Sequence, residues 1–254
     1  GPWQAEVREY VARPLGTITK SIYSRDAFFG SSAYIDLIHQ VQLDISGADI
    51  SFTAPLSNNS EIPAGEIVVG DMFRLYRYEN LLYTMELTGK EILGYLNFSY
   101  GGWFSTMSST DDHLILFNKN EEGRLRTSRA SYNFDSAMGL IYEVDVSKPA
   151  GNMVSITSMA NGDPFEPEKT YKVSLNSYRG NGGGGHLVEG AGIPHDEIAR
   201  RLVRSTTKDL RYHMMKWIEE KEIINPEASM QWKVVPAGFA EAGKKQDYPI
   251  LFRN

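Results

Sequence analysis

Residues 171–185 read YKVSLNSYRGNGGGG. The first five, Tyr171–Leu175, have the composition and alternation of a β-strand. That strand runs straight into Asn181–Gly185, where four consecutive glycines leave backbone amides uncovered and let a ligand or another backbone approach closely. Between the two lies Asn176-Ser177-Tyr178-Arg179, which sets a ring and a guanidinium beside the permissive backbone. A planar ring in that position suits stacking on a base, and the guanidinium suits an anionic group. A glycine run alone fits a flexible surface loop equally well. The flank therefore carries the functional reading.

Working outward, residues 31–46 carry Tyr34, Leu37, Ile38, Val41 and Ile45 at helical spacing, and Gly47 ends the helix. Ala48–Thr53 follows as a short buried strand. Ile62-Pro63-Ala64-Gly65 is a turn, and Gly70-Asp71 opens a short helical turn through Leu75. Leu81–Leu87 reads as a strand, and Thr88 with Glu91 forms a capping box at the head of a helix over Gly89–Leu96. Residues 99–112, rich in Ser, Gly and Asp, read as a loop. Leu140–Val146 and Met153–Thr157 make a hairpin across Lys148–Gly151. A helix is expected over 206–222, with Leu210, His213, Met214, Trp217 and Lys221 on one face and Asn225-Pro226 as its stop. Trp232–Val235 adds a late strand. This irregular alternation predicts an α+β fold, a single domain with a mixed β-sheet and flanking helices. The domain is expected over residues 1–235, with 236–254 as a C-terminal tail.

The 254 residues include no cysteine, which removes thiolate catalysis, disulfides and Cys-rich zinc sites. With 26 Lys+Arg against 32 Asp+Glu, the net charge of −6 gives no general reason to bind nucleic acid or an anionic membrane. No stretch approaches the ~18–20 apolar residues of a bilayer span. Gly1-Pro2 reads as a cleavage scar left where a leader was removed. The chain has no G-x-S-x-G, H-E-x-x-H or phosphate-loop motif. Asp111-Asp112-His113 has the D-x-H spacing of metallophosphatases but stands alone, so no metal site is expected. Arg124, Arg126 and Arg129 read as a solvated loop, and Arg200, Arg201 and Arg204 as a solvated helix face.

Laid end to end, the pieces resemble the C-terminal, substrate-recognition domain of the 5′-nucleotidase family, which includes UDP-sugar hydrolases and 2′,3′-cyclic nucleotide phosphodiesterases. The matching runs are Gly47–Thr53 with Ile62–Gly65, Gly70–Phe73 with Leu75–Asn80, and Glu86–Ile92. Met138–Leu140 with Asp145–Gly151, Tyr171–Gly185 and Ile224–Pro226 complete the series. The resemblance covers roughly residues 12–235.

The resemblance implies that two rings sandwich a nucleobase, at Tyr78 and Tyr178, with Asn181, Gly182, Gly183 and Gly184 against the sugar and Arg179 toward phosphate. The family's Asn and Arg after the first strand fall at Ala54 and Asn59, and its ribose-binding Asp falls at Gly184. Asn59 is a candidate replacement contact. The implied role is that of a nucleotide- or nucleoside-recognition module of a 5′-nucleotidase-type phosphohydrolase. No catalytic residue and no cofactor is expected in this chain. Divalent metals belong to a metallophosphoesterase domain, here expected on a separately encoded partner chain or lost by truncation. A non-catalytic binding or scaffold protein with a repurposed site is the alternative. The family's export implies a periplasmic, cell-surface or secreted location.

Overall fold

Thr170–Asn176 lies at the centre of the largest sheet in the computed structural model, which describes residues 1–253. The chain begins α1 (Pro2–Val11), β1 (Pro14–Ile18), β2 (Ile22–Tyr23), α2 (Ala33–Ser46), β3 (Ile50–Thr53), β4 (Glu61–Ile62), β5 (Gly65–Val68) and α3 (Val69–Leu75). It continues β6 (Leu81–Thr88), α4 (Gly89–Gly101), β7 (Phe117–Lys119), β8 (Leu125–Thr127), β9 (Ser136–Met138), β10 (Leu140–Asp145) and β11 (Val154–Met159). The last part is β12 (Thr170–Asn176), α5 (Ser177–Gly180), β13 (Leu202–Asp209), α6 (Leu210–Lys221), β14 (Ile223–Ile224), β15 (Trp232–Val235) and α7 (Ala237–Leu251).

The five-stranded sheet has the order β13-β6-β12-β3-β9. β12 pairs antiparallel with β6 from Thr170 opposite Thr88 to Asn176 opposite Leu82, and parallel with β3 through Val173 and Ile50. Smaller sheets order as β14-β1-β5 and β11-β10-β15. Two apolar clusters share the sheet. β6 gives Leu82 to one, with Tyr34, Ile38 and Trp217, and Met85 and Leu87 to the other, with Phe52, Tyr95 and Trp232. The mixed sheets and flanking helices are those of the α+β single domain read from the sequence.

Local chemistry explains most boundaries. Ser32 caps α2 by accepting from Ile35 N–H, and Gly47, at φ 66°, ends it in the left-handed conformation that glycine adopts without strain. Thr88 and Glu91 form the expected capping box on α4. That helix runs on to Gly101, into the segment expected as a loop, because Ser99 and Tyr100 are buried. The Tyr100 ring packs 5.2 Å from Trp232.

The helix expected over 206–222 begins only at Leu210. The β-branched run Val203, Thr206, Thr207 continues as strand β13, and Asp209 then caps α6 by accepting from Tyr212 N–H at 3.0 Å. Of the three arginines expected on a helix face, Arg200 and Arg201 close a short helical segment, His195–Arg201, and Arg204 lies in strand β13; Arg201 pairs with Glu91 at 2.8 Å. Residues 237–251, expected within a tail, form α7, which returns to the larger core through Phe239, Ala240, Tyr248 and Leu251. Its Asp247 is fully buried and accepts from Leu114 N–H at 2.7 Å and Ile115 N–H at 2.8 Å, with His113 Nδ1 on its other oxygen. Residue 254 lies outside the described residues. No helix among them is long and apolar enough to cross a membrane.

Candidate ligand site

Tyr178 stands two residues beyond the end of β12, in the short helix α5, which begins at Ser177 because Asn176 caps it, accepting from Arg179 N–H at 2.8 Å. Tyr78 lies in the loop from α3 to β6. The two ring-bearing segments are clamped together. Asn80 Oδ1 accepts from Tyr178 N–H and from the Ser177 hydroxyl, both at 3.3 Å, and Leu81 N–H donates to that hydroxyl at 3.0 Å.

A cavity of about 410 Å³ opens between them, lined by Tyr78, Tyr178, Leu56, Glu79, Asn80, Asn176 and a third ring, Tyr132. Tyr132 meets Tyr78 edge-on, with centroids 6.3 Å apart and planes at 77°. All three tyrosines are 41–47% exposed, so each keeps surface open to a ligand. Tyr132 escaped the sequence reading because it sits in a single turn, Ser131–Asn133, with no periodicity around it.

Arg179 is placed differently from the expectation. It is 2% exposed, and its guanidinium is held inside the protein. Its Nε and Nη2 donate to both oxygens of Asp135 at 3.0 and 2.8 Å. The remaining donors reach Tyr132 C=O at 3.0 Å, Asn133 Oδ1 at 3.1 Å and Gly183 C=O at 2.8 Å. With every N–H taken, none is left for a ligand. Burial, the largest single influence, works to raise the Asp135 carboxyl, but the Arg179 charge, the nearby His186 and the hydrogen bonds from Arg179 and Tyr95 together outweigh it and hold the group below the usual carboxylate range.

The glycine run is also placed differently. Gly182, Gly183 and Gly184 do not line the cavity, and Asn181 is exposed at the loop's outer edge. The loop packs behind Tyr178: a Cβ on Gly183 would lie 2.6 Å from that ring and from the Tyr178 carbonyl oxygen. The glycines are there for close packing against a ring and its backbone. Gly183→Ala is expected to cost about 1–3 kcal/mol of stability, since the carbonyl cannot yield as a side chain can. Urea unfolding checks this.

Behind the loop, His186 is buried, with Nε2 2.9 Å from Asn133 C=O; burial pushes its pKa down to about 4. Asn59 lies outside the tyrosine cleft, on an adjoining cavity, and accepts from Arg25 Nε at 2.6 Å. His113 faces Asp247 rather than a metal cluster, and among the described residues no three His, Cys, Asp or Glu side chains converge as ligands.

Comparison with known proteins matches residues 14–189, more than half of the chain, to the family described as 5′-nucleotidase, C-terminal domain. The trifunctional nucleotide phosphoesterase protein YfkN of Bacillus subtilis is 28% identical over 258 residues, covering 90% of this chain and 17% of its own length. The 2′,3′-cyclic-nucleotide 2′-phosphodiesterase/3′-nucleotidase of Haemophilus influenzae is 25% identical over 92% of this chain and 39% of its own. Among solved structures, a 5′-nucleotidase precursor from Thermus thermophilus superposes with a TM-score of 0.70 at 21% identity, over 92% of this chain and 42% of that one. The chain thus spans about two fifths or less of the length of these relatives. By its matched residues, the chain belongs to the 5′-nucleotidase C-terminal domain family.

Proposed function

We propose that this domain recognises a nucleotide or nucleoside for a phosphoester hydrolase of nucleotide breakdown, with the base held in the tyrosine cleft. The observation that carries the reading is the cavity of about 410 Å³ walled by Tyr78, Tyr132 and Tyr178. Aromatic stacking contributes about 1–3 kcal/mol per base and tolerates any base. Gly183 packs close to the Cε2–Cζ side of the Tyr178 ring, so a ligand stacks on the ring surface that the loop leaves open. Asn80 and Asn176 supply carboxamides at the cavity wall for hydrogen bonds to a base edge.

Among the described residues no three His, Cys, Asp or Glu side chains converge as metal ligands, and no hydrolytic step is assigned to them. In this proposal the metal chemistry that activates water belongs to a metallophosphoesterase region outside this chain. Several relatives are named as nucleotide phosphodiesterases or nucleotidases, and one as a precursor, which supports nucleotide as ligand and export as destination.

Calorimetric titration with adenosine, AMP and uridine tests the reading. Binding is expected, with Tyr178→Ala weakening it roughly tenfold or more, about 1–3 kcal/mol. Absence of binding to all three would overturn it. A sugar or peptide held in the same cleft would favour a scaffold that retains the fold.

A further inference from the structure

Beside the tyrosine cleft lies a larger cavity of about 560 Å³, and the two share Leu56, Tyr78 and Tyr132 as a common wall. Arg77 and Arg126 line it, together with Asn58, Asn59 and Ser131, and no carboxylate does. Their neighbours in sequence or space are neutralised: Arg124 pairs with Glu122, and Arg211 with Glu79 and Asp209. Among the described residues Arg77 and Arg126 have no such partner. A third guanidinium, Arg25, is not itself in the lining but donates to Asn59 and lies 4.9 Å from the Phe252 ring, both of which are. On a chain of net charge −6 this is a local concentration of uncompensated positive charge.

The charge is spread along a path. Arg77 precedes the shared Tyr78 and lies 5.7 Å from its ring, while Arg126 comes from β8, with the half-buried Phe117 of β7 and Phe252 after α7 in the same lining. A nucleoside in the tyrosine cleft fills a cavity that is already of small-molecule size. It leaves the larger one without an occupant.

We propose that the larger cavity is a second subsite, taking the phosphodiester-linked remainder of a ligand whose first base lies in the tyrosine cleft. The anionic linker lies against Arg77 and Arg126, and the further ring reaches Phe117 and Phe252. The amides of Asn58 and Asn59 and the hydroxyl of Ser131 serve the sugar between them. This inference rests on the nucleoside reading for what occupies the cleft.

The test is a calorimetric comparison of adenosine, AMP and the dinucleoside monophosphate adenylyl-adenosine. The dinucleoside is expected to bind about tenfold tighter than adenosine, with AMP between them, since charge-assisted bonds are the strong ones. In an Arg77→Gln, Arg126→Gln double variant the dinucleoside-to-adenosine ratio is expected to fall to near one. Both side chains are exposed, and the urea midpoint reports whether the variant folds. A dinucleoside no tighter than AMP shows that the second ring has no seat, and a preference that survives in the variant shows that the arginines do not hold the linker. Either result overturns the inference while adenosine binding leaves the nucleoside reading standing. If adenosine itself fails to bind, both fall together.

Discussion

Replacing Asp135 with alanine is expected to remove about 3–5 kcal/mol from the free energy of unfolding. The carboxylate is 2% exposed, bidentate with Arg179, and also accepts the Tyr95 hydroxyl. Its loss leaves a guanidinium that cannot shed its proton buried without a counter-charge. The effect extends to the cleft, because Arg179 follows Tyr178 in the chain and donates to Tyr132 C=O, tying together the backbones on which two of its rings stand. Pairing Asp135→Leu with Arg179→Met is expected to cost less than either charge deletion alone, as well-packed apolar groups replace the ion pair. Urea unfolding at neutral pH measures all three variants. A single variant within about 1 kcal/mol of the unaltered protein would contradict the burial argument.

The second large effect is acid sensitivity. Two histidines, His39 and His186, are fully buried, and burial pushes each pKa down from 6.5 to about 4. His39 sits between the hydroxyls of Ser51, at 2.8 Å, and Ser136, at 3.0 Å. Below pH 6.5 the unfolded chain takes up protons that the folded one refuses. The stability these groups contribute is therefore complete above 6.5 and is lost as pH falls to about 4, roughly 3 kcal/mol for each histidine. The lowered Asp135 carboxyl adds a further loss in the same direction as pH falls below the ordinary carboxylate range. Urea midpoints between pH 7 and 4 should fall steeply. Imidazole resonances that titrate near 6.5 in the folded protein would refute the account.

The sequence showed most of the secondary structure because local chemistry decides it. Ser32, Gly47, Thr88 and Glu91 act within a turn of where they stand, and the Lys148–Gly151 turn joins strands that pair with each other. The α+β class followed. What stayed hidden depends on partners far along the chain. Arg179 reads as a surface cation until Asp135, 44 residues away, is seen to hold it. Asp247 looks like a tail residue until it is found on amides 132 and 133 positions earlier. Tyr132 is held at the cleft with help from Arg179, 47 residues on, which donates to its carbonyl. Burial and long-range pairing reassigned these residues, and no local pattern encodes either.

The order of strands in the large sheet bears on how the protein is made. β12 is its middle strand, yet it follows both of its neighbours, β3 and β6, in the chain by more than 80 residues. The sheet therefore cannot grow outward from a finished centre. Until Thr170–Asn176 pairs with them, β3 and β6 are not bonded to each other and the place between them stays open. Closing it is a non-local step of the kind that slows folding. While it is open, the same segment from another copy fits the gap as well as the chain's own, which makes exchange between copies the characteristic error of this topology. The strand that carries Tyr178 into the cleft is the one that closes the gap, so an unfinished sheet and an unformed cleft are the same state.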